Sequence, residues 1–261
     1  MSCSERFPGP GECAEMIKKA GSVVALTGAG ISTSAGIPDF RGPRGLYVTR
    51  RYDPDLVFNI DHFHRDPLHF YEFTRDFIQM TKDIRPTFAH RALAALEAND
   101  LLDGVITQNI DALHHLAGSR RIIELHGSYW TASCTKCTKG GIRGATGEWW
   151  DEAVRTGPNA PIVNCSFGGG VIKPDVVFFG EAVNGFEAAA TMVAQCNLLL
   201  VLGSSLTVYP AAILPSLAAG KVMVVNRGNV MLEPASGRYF IEEDLNDFFR
   251  AVFEELGLTV P

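Results

Sequence analysis

Three short stretches carry residue types at spacings that could do chemistry. The first is Gly28-Ala29-Gly30, placed directly after the apolar run Val23-Val24-Ala25-Leu26. A strand followed at once by a glycine pair lets backbone come close to a pyrophosphate, as in dinucleotide-binding folds. The third glycine of the Gly-x-Gly-x-x-Gly fingerprint is missing, because its position holds Thr33. The pair alone therefore describes a tight strand-to-helix turn equally well. The second stretch is Gln108-Asn109-Ile110-Asp111, which follows the apolar segment 103–107. Polar groups there stand at the carboxyl edge where open α/β sheets bind ligands, although Asn109 or Asp111 could instead start the helix containing Leu113. The third is His126, immediately after the apolar segment 121–125. An imidazole with an ordinary pKa of about 6.5 can take up a proton near neutral pH, so His126 is the candidate general base. The remaining histidines, His62, His64, His69, His90, His114 and His115, fall in helical or loop contexts. His90, in FAHRALAAL, reads as a packed helix histidine.

The elements that must position these groups follow from composition and periodicity. The 261 residues are 46% hydrophobic and 20% charged, which suits one large α/β domain with or without a small insert. Net charge is −6, and no run of Lys or Arg exceeds two residues. That excludes a non-specific nucleic-acid binder and tolerates a basic peptide partner. No apolar stretch approaches the roughly 18 to 20 residues of a membrane span, and MSCSERFPGP lacks the order of a secretion signal. The expectation is a cytoplasmic protein with no membrane association. In a reducing compartment the close pair Cys134/Cys137 suggests a metal before a disulfide.

Cys13, Met16, Ile17 and Ala20 share a helical face ahead of a strand at 22–27, and further buried strands are expected at 103–107, 121–125, 198–202 and 221–225. Together they describe a doubly wound parallel sheet. Leu245, Phe248, Phe249, Val252, Phe253 and Leu256 mark a final helix packed on it. Two segments interrupt the sheet, a helical and aromatic one containing FYEFTRDF and FAHRALAAL, and one rich in Gly, Thr, Lys and Cys that contains Trp149-Trp150. The expected division is a Rossmann-like domain of 1–40, 101–127 and 171–261, and a small domain of 41–100 and 128–170.

Read in order, Gly28-Ala29-Gly30-Ile31-Ser32, Gly36-Ile37-Pro38-Asp39-Phe40-Arg41-Gly42, Thr107-Gln108-Asn109-Ile110-Asp111 with His114, Glu124-Leu125-His126-Gly127, Lys173 through Glu181, Gly203-Ser204-Ser205 and Val225-Asn226 resemble the sirtuin family of NAD-dependent protein deacylases. The resemblance runs from about residue 12 to 255. It implies that Thr33 is ordinary, since the loop continues into a mobile cofactor-binding segment near 37–50. It implies NAD contacts from Gly28, Ala29, Gly30, Ile37, Asp39, Phe40 and Arg41, with unpaired glycine N–H groups and the forked Arg41 facing phosphates. Asp111 would hold the nicotinamide carboxamide, Asn109 a ribose or water, and Gln108 a ribose hydroxyl beside Ile110. Gly203, Ser204, Ser205, Asn226 and Arg227 would hold the adenosine half. Val177, Phe178, Phe179 and Gly180 would form the peptide edge, pairing backbone with the substrate and sheathing the acyl-lysine stem; the other reading of this stretch is a buried core strand. The implied reaction begins with attack of the substrate's acyl oxygen on the sugar carbon, giving an alkylimidate. Nicotinamide leaves in that step; His126 then promotes attack by the neighbouring ribose hydroxyl, and water completes the hydrolysis to free lysine and O-acyl-ADP-ribose.

The chain departs from the family at two points. The second Cys-x-x-Cys of the structural zinc site reads Cys165-Ser-Phe-Gly168, so Cys134, Cys137 and Cys165 lack a fourth thiolate, and a closed zinc site wants four ligands. Three thiolates plus water, or a metal-free module, both follow. The Tyr-x-x-Arg of relatives that take acidic acyl groups reads Tyr71-Glu-Phe-Thr74, with Arg75 one place late. One place is about 100° of helix rotation, so acetyl or longer neutral acyls are expected over succinyl or malonyl. A mono-ADP-ribosyltransferase and a non-catalytic NAD sensor are the competing functions, and a monomer is the expected state.

Overall fold

Uninterrupted apolar runs build the centre of the molecule. In a computed structural model, which describes residues 8–37, 52–81, 83–137, 162–165 and 168–260, α1 (Pro10–Ala20) leads into β1 (Val23–Thr27). The order continues α2 (Pro54–Val57), α3 (Ile60–Arg65), α4 (Leu68–Thr81), α5 (Phe88–Ala98), β2 (Gly104–Thr107), α6 (Leu113–Ala117), β3 (Ile122–Glu124), β4 (Gly127–Cys134), β5 (Ile172–Val176), α7 (Phe186–Gln195), β6 (Leu198–Leu202), β7 (Lys221–Val225), β8 (Arg238–Ile241) and α8 (Leu245–Leu256). Six strands form one sheet in the order β3-β2-β1-β6-β7-β8, all neighbours parallel. This is the doubly wound, Rossmann-like arrangement.

Strands of such a sheet are covered on both faces, which is why β1 and β6 read as continuous apolar runs rather than alternations. Leu198, Leu200 and Leu202 turn to the side covered by α1, α5 and α8. Leu199 and Val201 turn to the other side, against Ala189 and Val193 of α7. The stripe read at 245–256 is α8, and its Phe248, Phe249 and Val252 are fully buried. Asp244 starts it by accepting the N–H groups of Asn246 and Asp247.

A second core lies apart from these two, where α2, α3 and α4 meet the antiparallel pair β4-β5. It is aromatic: Phe58, Phe63, Phe70 and Phe178 pack edge-on or tilted, with centroids 4.9 to 6.4 Å apart, the separation aromatic pairs favour. Helix α5 does not belong there, although the expected boundaries assign it to the small domain. Its Ala89, Ala92, Leu93 and Leu96 join the core of the large sheet, because a helical stripe discloses which face is buried and not against what. Strand β8 lies outside the strands expected from sequence; its four residues are all half-buried at the sheet's edge. Among the described residues no helix is long and apolar enough to cross a membrane.

Candidate active site

The chain leaves β1 toward β2 on one side while β6 pairs on the other, so the carboxyl ends of β1 and β6 flank a switch point, where open α/β sheets hold ligands. An open cleft of about 1650 Å³ lies there. Its walls include Gly28, Ala29, Gly30, Gln108, Asn109, Ile110 and His126 from the β1, β2 and β3 ends, and Gly203, Ser204, Ser205, Asn226 and Arg227 from the β6 and β7 ends. Val177, Phe178, Phe179 and Gly180 close the remaining side.

The glycines have a further use that the sequence does not disclose. The loop after β1 lies directly on the loop after β6: a Cβ on Gly28 would sit 2.8 Å from the Gly203 carbonyl oxygen, and one on Gly30 2.7 Å from the Gly203 Cα. The Gly28 N–H donates to the Leu202 carbonyl (3.0 Å) and the Gly30 N–H to the Gly203 carbonyl (2.8 Å). These two N–H groups are thus not the unpaired donors expected at this turn. The helical turn that follows, Ala29–Ile31, is only three residues of 3₁₀.

His126 lies between β3 and β4. Its Nδ1 is 2.9 Å from the Gln108 carbonyl oxygen; a carbonyl only accepts, so Nδ1 carries the proton and Nε2 keeps a lone pair. Burial lowers the pKa of the ring below its ordinary 6.5, outweighing the opposing effect of the Gln108 hydrogen bond. The next residue, Gly127, has φ +71°, and a Cβ there would overlap the Asp175 carbonyl, so the chain can turn sharply from the imidazole into β4 only with glycine.

Asn109 is nearly buried, and its Nδ2 donates to the Gly28 carbonyl (3.1 Å) and to Ser32 Oγ (3.2 Å). Both amide protons are spent, which leaves Oδ1 as an acceptor. Asp111 behaves differently from the expectation, because it does not line the cleft with its neighbours. Its carboxylate accepts from Ser32 Oγ (2.6 Å) and from the Leu113 N–H (2.9 Å), opening α6. Burial raises its pKa, against the lowering effect of those hydrogen bonds. Ser32, fully buried, therefore links the two side chains.

Ile37 is buried in the aromatic core rather than in the cleft. Asp39, Phe40 and Arg41 lie outside the described residues. Regular strand ends at Val176; beyond it Phe179 makes one bridge to Asn59. Phe178 is 1% exposed, its ring packed among Phe58, Phe63 and Phe70, so the core-strand alternative describes its side chain best. Among the stretches of cleft wall that sequence reasoning does not name are Thr207 to Pro210 and Glu243 to Leu245. Both follow strand carboxyl ends, and the second was invisible without β8.

Beneath the cleft two histidines are held neutral. His114 shares a 2.9 Å hydrogen bond with Thr27 Oγ1, and His90 a 2.7 Å one with Thr87 Oγ1; their ring centroids are 4.7 Å apart. Burial pushes His114 down to about 3 and His90 well below 6.5. The unfolded chain thus takes protons that the folded one refuses, and stability present above pH 6.5 is lost as pH falls from there toward about 3. Per buried ring the loss by pH 5 is about 2 kcal/mol. His114→Gln is expected to flatten the fall by about that amount, which urea unfolding at pH 7.5 and pH 5 checks; an unchanged slope would refute the assignment.

The Sγ atoms of Cys134, Cys137 and Cys165 lie within 4.8 Å of one another. The Lys136 N–H donates to Cys134 Sγ (3.4 Å) and the Gly168 N–H to Cys165 Sγ (3.5 Å). Gly168 does occupy the fourth corner, since a Cβ there would overlap Cys137 Sγ, but it brings no donor. Among the described residues the cluster therefore offers three of the four ligands of a closed zinc site, a partial fit.

Comparison with known proteins agrees with this geometry. The Sir2 family model matches residues 28–210. An NAD-dependent protein deacetylase of Caldivirga maquilingensis is 44% identical over 231 residues, covering 84% of this chain and 85% of the relative. One from Thermotoga maritima is 38% identical over 254 residues, covering 95% and 98%. The solved complex of Sir2 with a p53 peptide and NAD+ superposes with a TM-score of 0.84 at 36% identity, covering 95% of this chain and 98% of that one.

Proposed function

Because the chain belongs to the Sir2 family, we infer that it is an NAD-dependent protein-lysine deacylase, an enzyme that converts NAD, water and an acylated lysine into nicotinamide, free lysine and O-acyl-ADP-ribose. The observation that carries the reading is His126, a neutral base whose tautomer is set by Gln108, standing in the cleft with Asn109 at the sheet's switch point. NAD supplies the sugar carbon from which nicotinamide leaves as the acyl oxygen arrives. His126 Nε2 receives the proton of the adjacent ribose hydroxyl. Asn109 Oδ1 accepts a hydrogen bond from the ribose or a water, and Asp111 acts from behind it through Ser32. Gly28, Ala29 and Gly30 bring backbone to the pyrophosphate, with Asp39, Phe40 and Arg41 as the covering segment. Gly203, Ser204, Ser205, Asn226 and Arg227 take the adenosine half. Val177, Phe179 and Gly180 meet the peptide over the wall that Phe178 supports. Two domains, the large sheet with its helices and the aromatic core with β4 and β5, would carry cofactor and substrate on facing sides. We assign the enzyme to the cytoplasm; free thiols at Cys13, Cys134, Cys137, Cys165 and Cys196 suit a reducing compartment.

Incubation with NAD and an acetyl-lysine peptide, followed by mass analysis, is expected to give one O-acetyl-ADP-ribose per deacetylated peptide. ADP-ribose on protein would instead favour a transferase, and unconsumed NAD a sensor. The acyl group should be neutral. Tyr71 O–H is committed to the Ile172 carbonyl (2.6 Å), Thr74 to Tyr129 (3.3 Å), and Arg75 pairs with Asp76, while apolar Phe58, Ile110, Val176 and Phe178 line the cleft. A carboxylate buried there without a partner costs several kcal/mol, so kcat/KM for a succinyl-lysine peptide is expected about 100-fold or more below that for acetyl-lysine. Comparable rates would overturn this specificity.

A further inference from the structure

We propose that Lys173 and Glu181 form a positioning clamp that holds the Val177–Gly180 segment in the shape presented to the acylated peptide; this rests on the deacylase reading. Strand β5 ends at Val176, and the backbone beyond it needs new partners. Two come from neighbouring backbone: the Val177 N–H donates to the His126 carbonyl (2.8 Å) and the Phe179 N–H to the Phe58 carbonyl (2.7 Å). The Val176 carbonyl and the Phe178 N–H are met by side chains instead. Lys173 Nζ donates to the Val176 carbonyl (2.6 Å), and Glu181 Oε2 accepts from the Phe178 N–H (2.8 Å). The two side chains pair with each other at 2.9 Å, and Lys173 Nζ stands 4.2 Å from the Phe178 ring centroid. The Glu181 N–H then donates to the Phe178 carbonyl (3.0 Å), closing a turn around Gly180 at φ +98°.

The pair is largely withdrawn from solvent, with Lys173 12% and Glu181 32% exposed at the side chain. An exposed pair would contribute little, but each member of a withdrawn pair leaves an uncompensated charge when the other is removed. Every atom the clamp touches lies at the end of β5 or on the segment that walls the peptide side of the cleft, and the segment is tied through Val177 to the backbone of His126. The glycine loops and the β6 and β7 ends, assigned to NAD, receive none of these contacts. Loss of the clamp should therefore separate peptide from cofactor.

The test uses the full chain as wild type, Lys173→Met, Lys173→Arg and Glu181→Gln, with steady-state kinetics on an acetyl-lysine peptide and hydrogen exchange at the Phe178 amide. Lys173→Met is expected to raise the peptide KM about tenfold with the NAD KM within about twofold, and to speed Phe178 exchange about tenfold or more. Lys173→Arg, which keeps the charge and donors, should restore both. If Lys173→Met fails to fold, Glu181→Gln reads the same quantities. Wild-type peptide KM and exchange in the Met variant, or equal rises in peptide and NAD KM, would overturn the clamp. An inactive wild type would overturn the deacylase reading, while Phe178 exchange would still decide whether the clamp exists.

Discussion

His126→Ala is expected to lower kcat/KM for an acetyl-lysine peptide about 1000-fold while leaving the affinity for NAD within about threefold. The size follows from what the ring does: general-base catalysis is worth about 100- to 10,000-fold, and among the described residues lining the cleft His126 is the only histidine. The ring's second contact makes the loss specific. Because Nδ1–H is anchored on the Gln108 carbonyl at 2.9 Å, the lone pair on Nε2 is present in every neutral molecule and needs no tautomeric change before it accepts a proton. The pH profile of the wild type carries the same signature. Only the neutral ring is a base; burial depresses its pKa below 6.5, so activity should persist as pH drops past 6.5 and fail on an acid limb lying lower. Kinetics from pH 5 to 8 with calorimetric NAD binding at pH 7.5 decide the matter. A variant that retains a tenth of the wild-type rate, or an acid limb centred above pH 7, would remove His126 from the role of base.

Much of this site was legible because its residues cluster at the carboxyl ends of strongly apolar runs. VVALT, GVIT, LLLVL and the VMVV of β7 are buried from both sides, so nothing in their local patterning competes with the strand assignment, and the polar residues just beyond them stand at the cleft edge of the sheet. RYFI had no such signal, being half-buried, short and charged at its start, and with β8 went the wall from Glu243 to Leu245. For Phe178 and Asp111 the sequence leaves two readings open, for a different reason. A motif shows which residues sit together but not which way each side chain turns, and both turn inward: Phe178 into three other rings, Asp111 onto Ser32 and the first N–H of α6. The apolar stripe of α5 likewise disclosed a buried face without disclosing that α8 covers it.

Gly203→Ala is expected to lower stability by about 3 kcal/mol, a Tm drop of about 6 to 12 °C, and to weaken NAD binding about tenfold or more. Two costs add. Gly203 has φ +62°, a left-handed backbone that costs an alanine about 1 to 2 kcal/mol. Its Cβ would also lie 2.6 Å from the Ile31 nitrogen and 2.7 Å from the Gly30 carbonyl carbon, atoms of backbone that cannot swing aside as a side chain would. The loops after β1 and β6 must then separate, which breaks the Gly30 N–H to Gly203 carbonyl hydrogen bond and displaces the turn assigned to the pyrophosphate. Gly228 provides the control, since it has φ +90° but open space around its Cβ position. Gly228→Ala meets the conformational cost alone and should lose only about 1 to 2 kcal/mol. Thermal unfolding with and without saturating NAD measures both effects, because a ligand that binds only the folded state raises Tm in proportion to its affinity. Equal Tm losses in the two variants, or an NAD-induced shift in Gly203→Ala as large as in the wild type, would show that the contact between the two glycine loops does not hold the cofactor side of the cleft together.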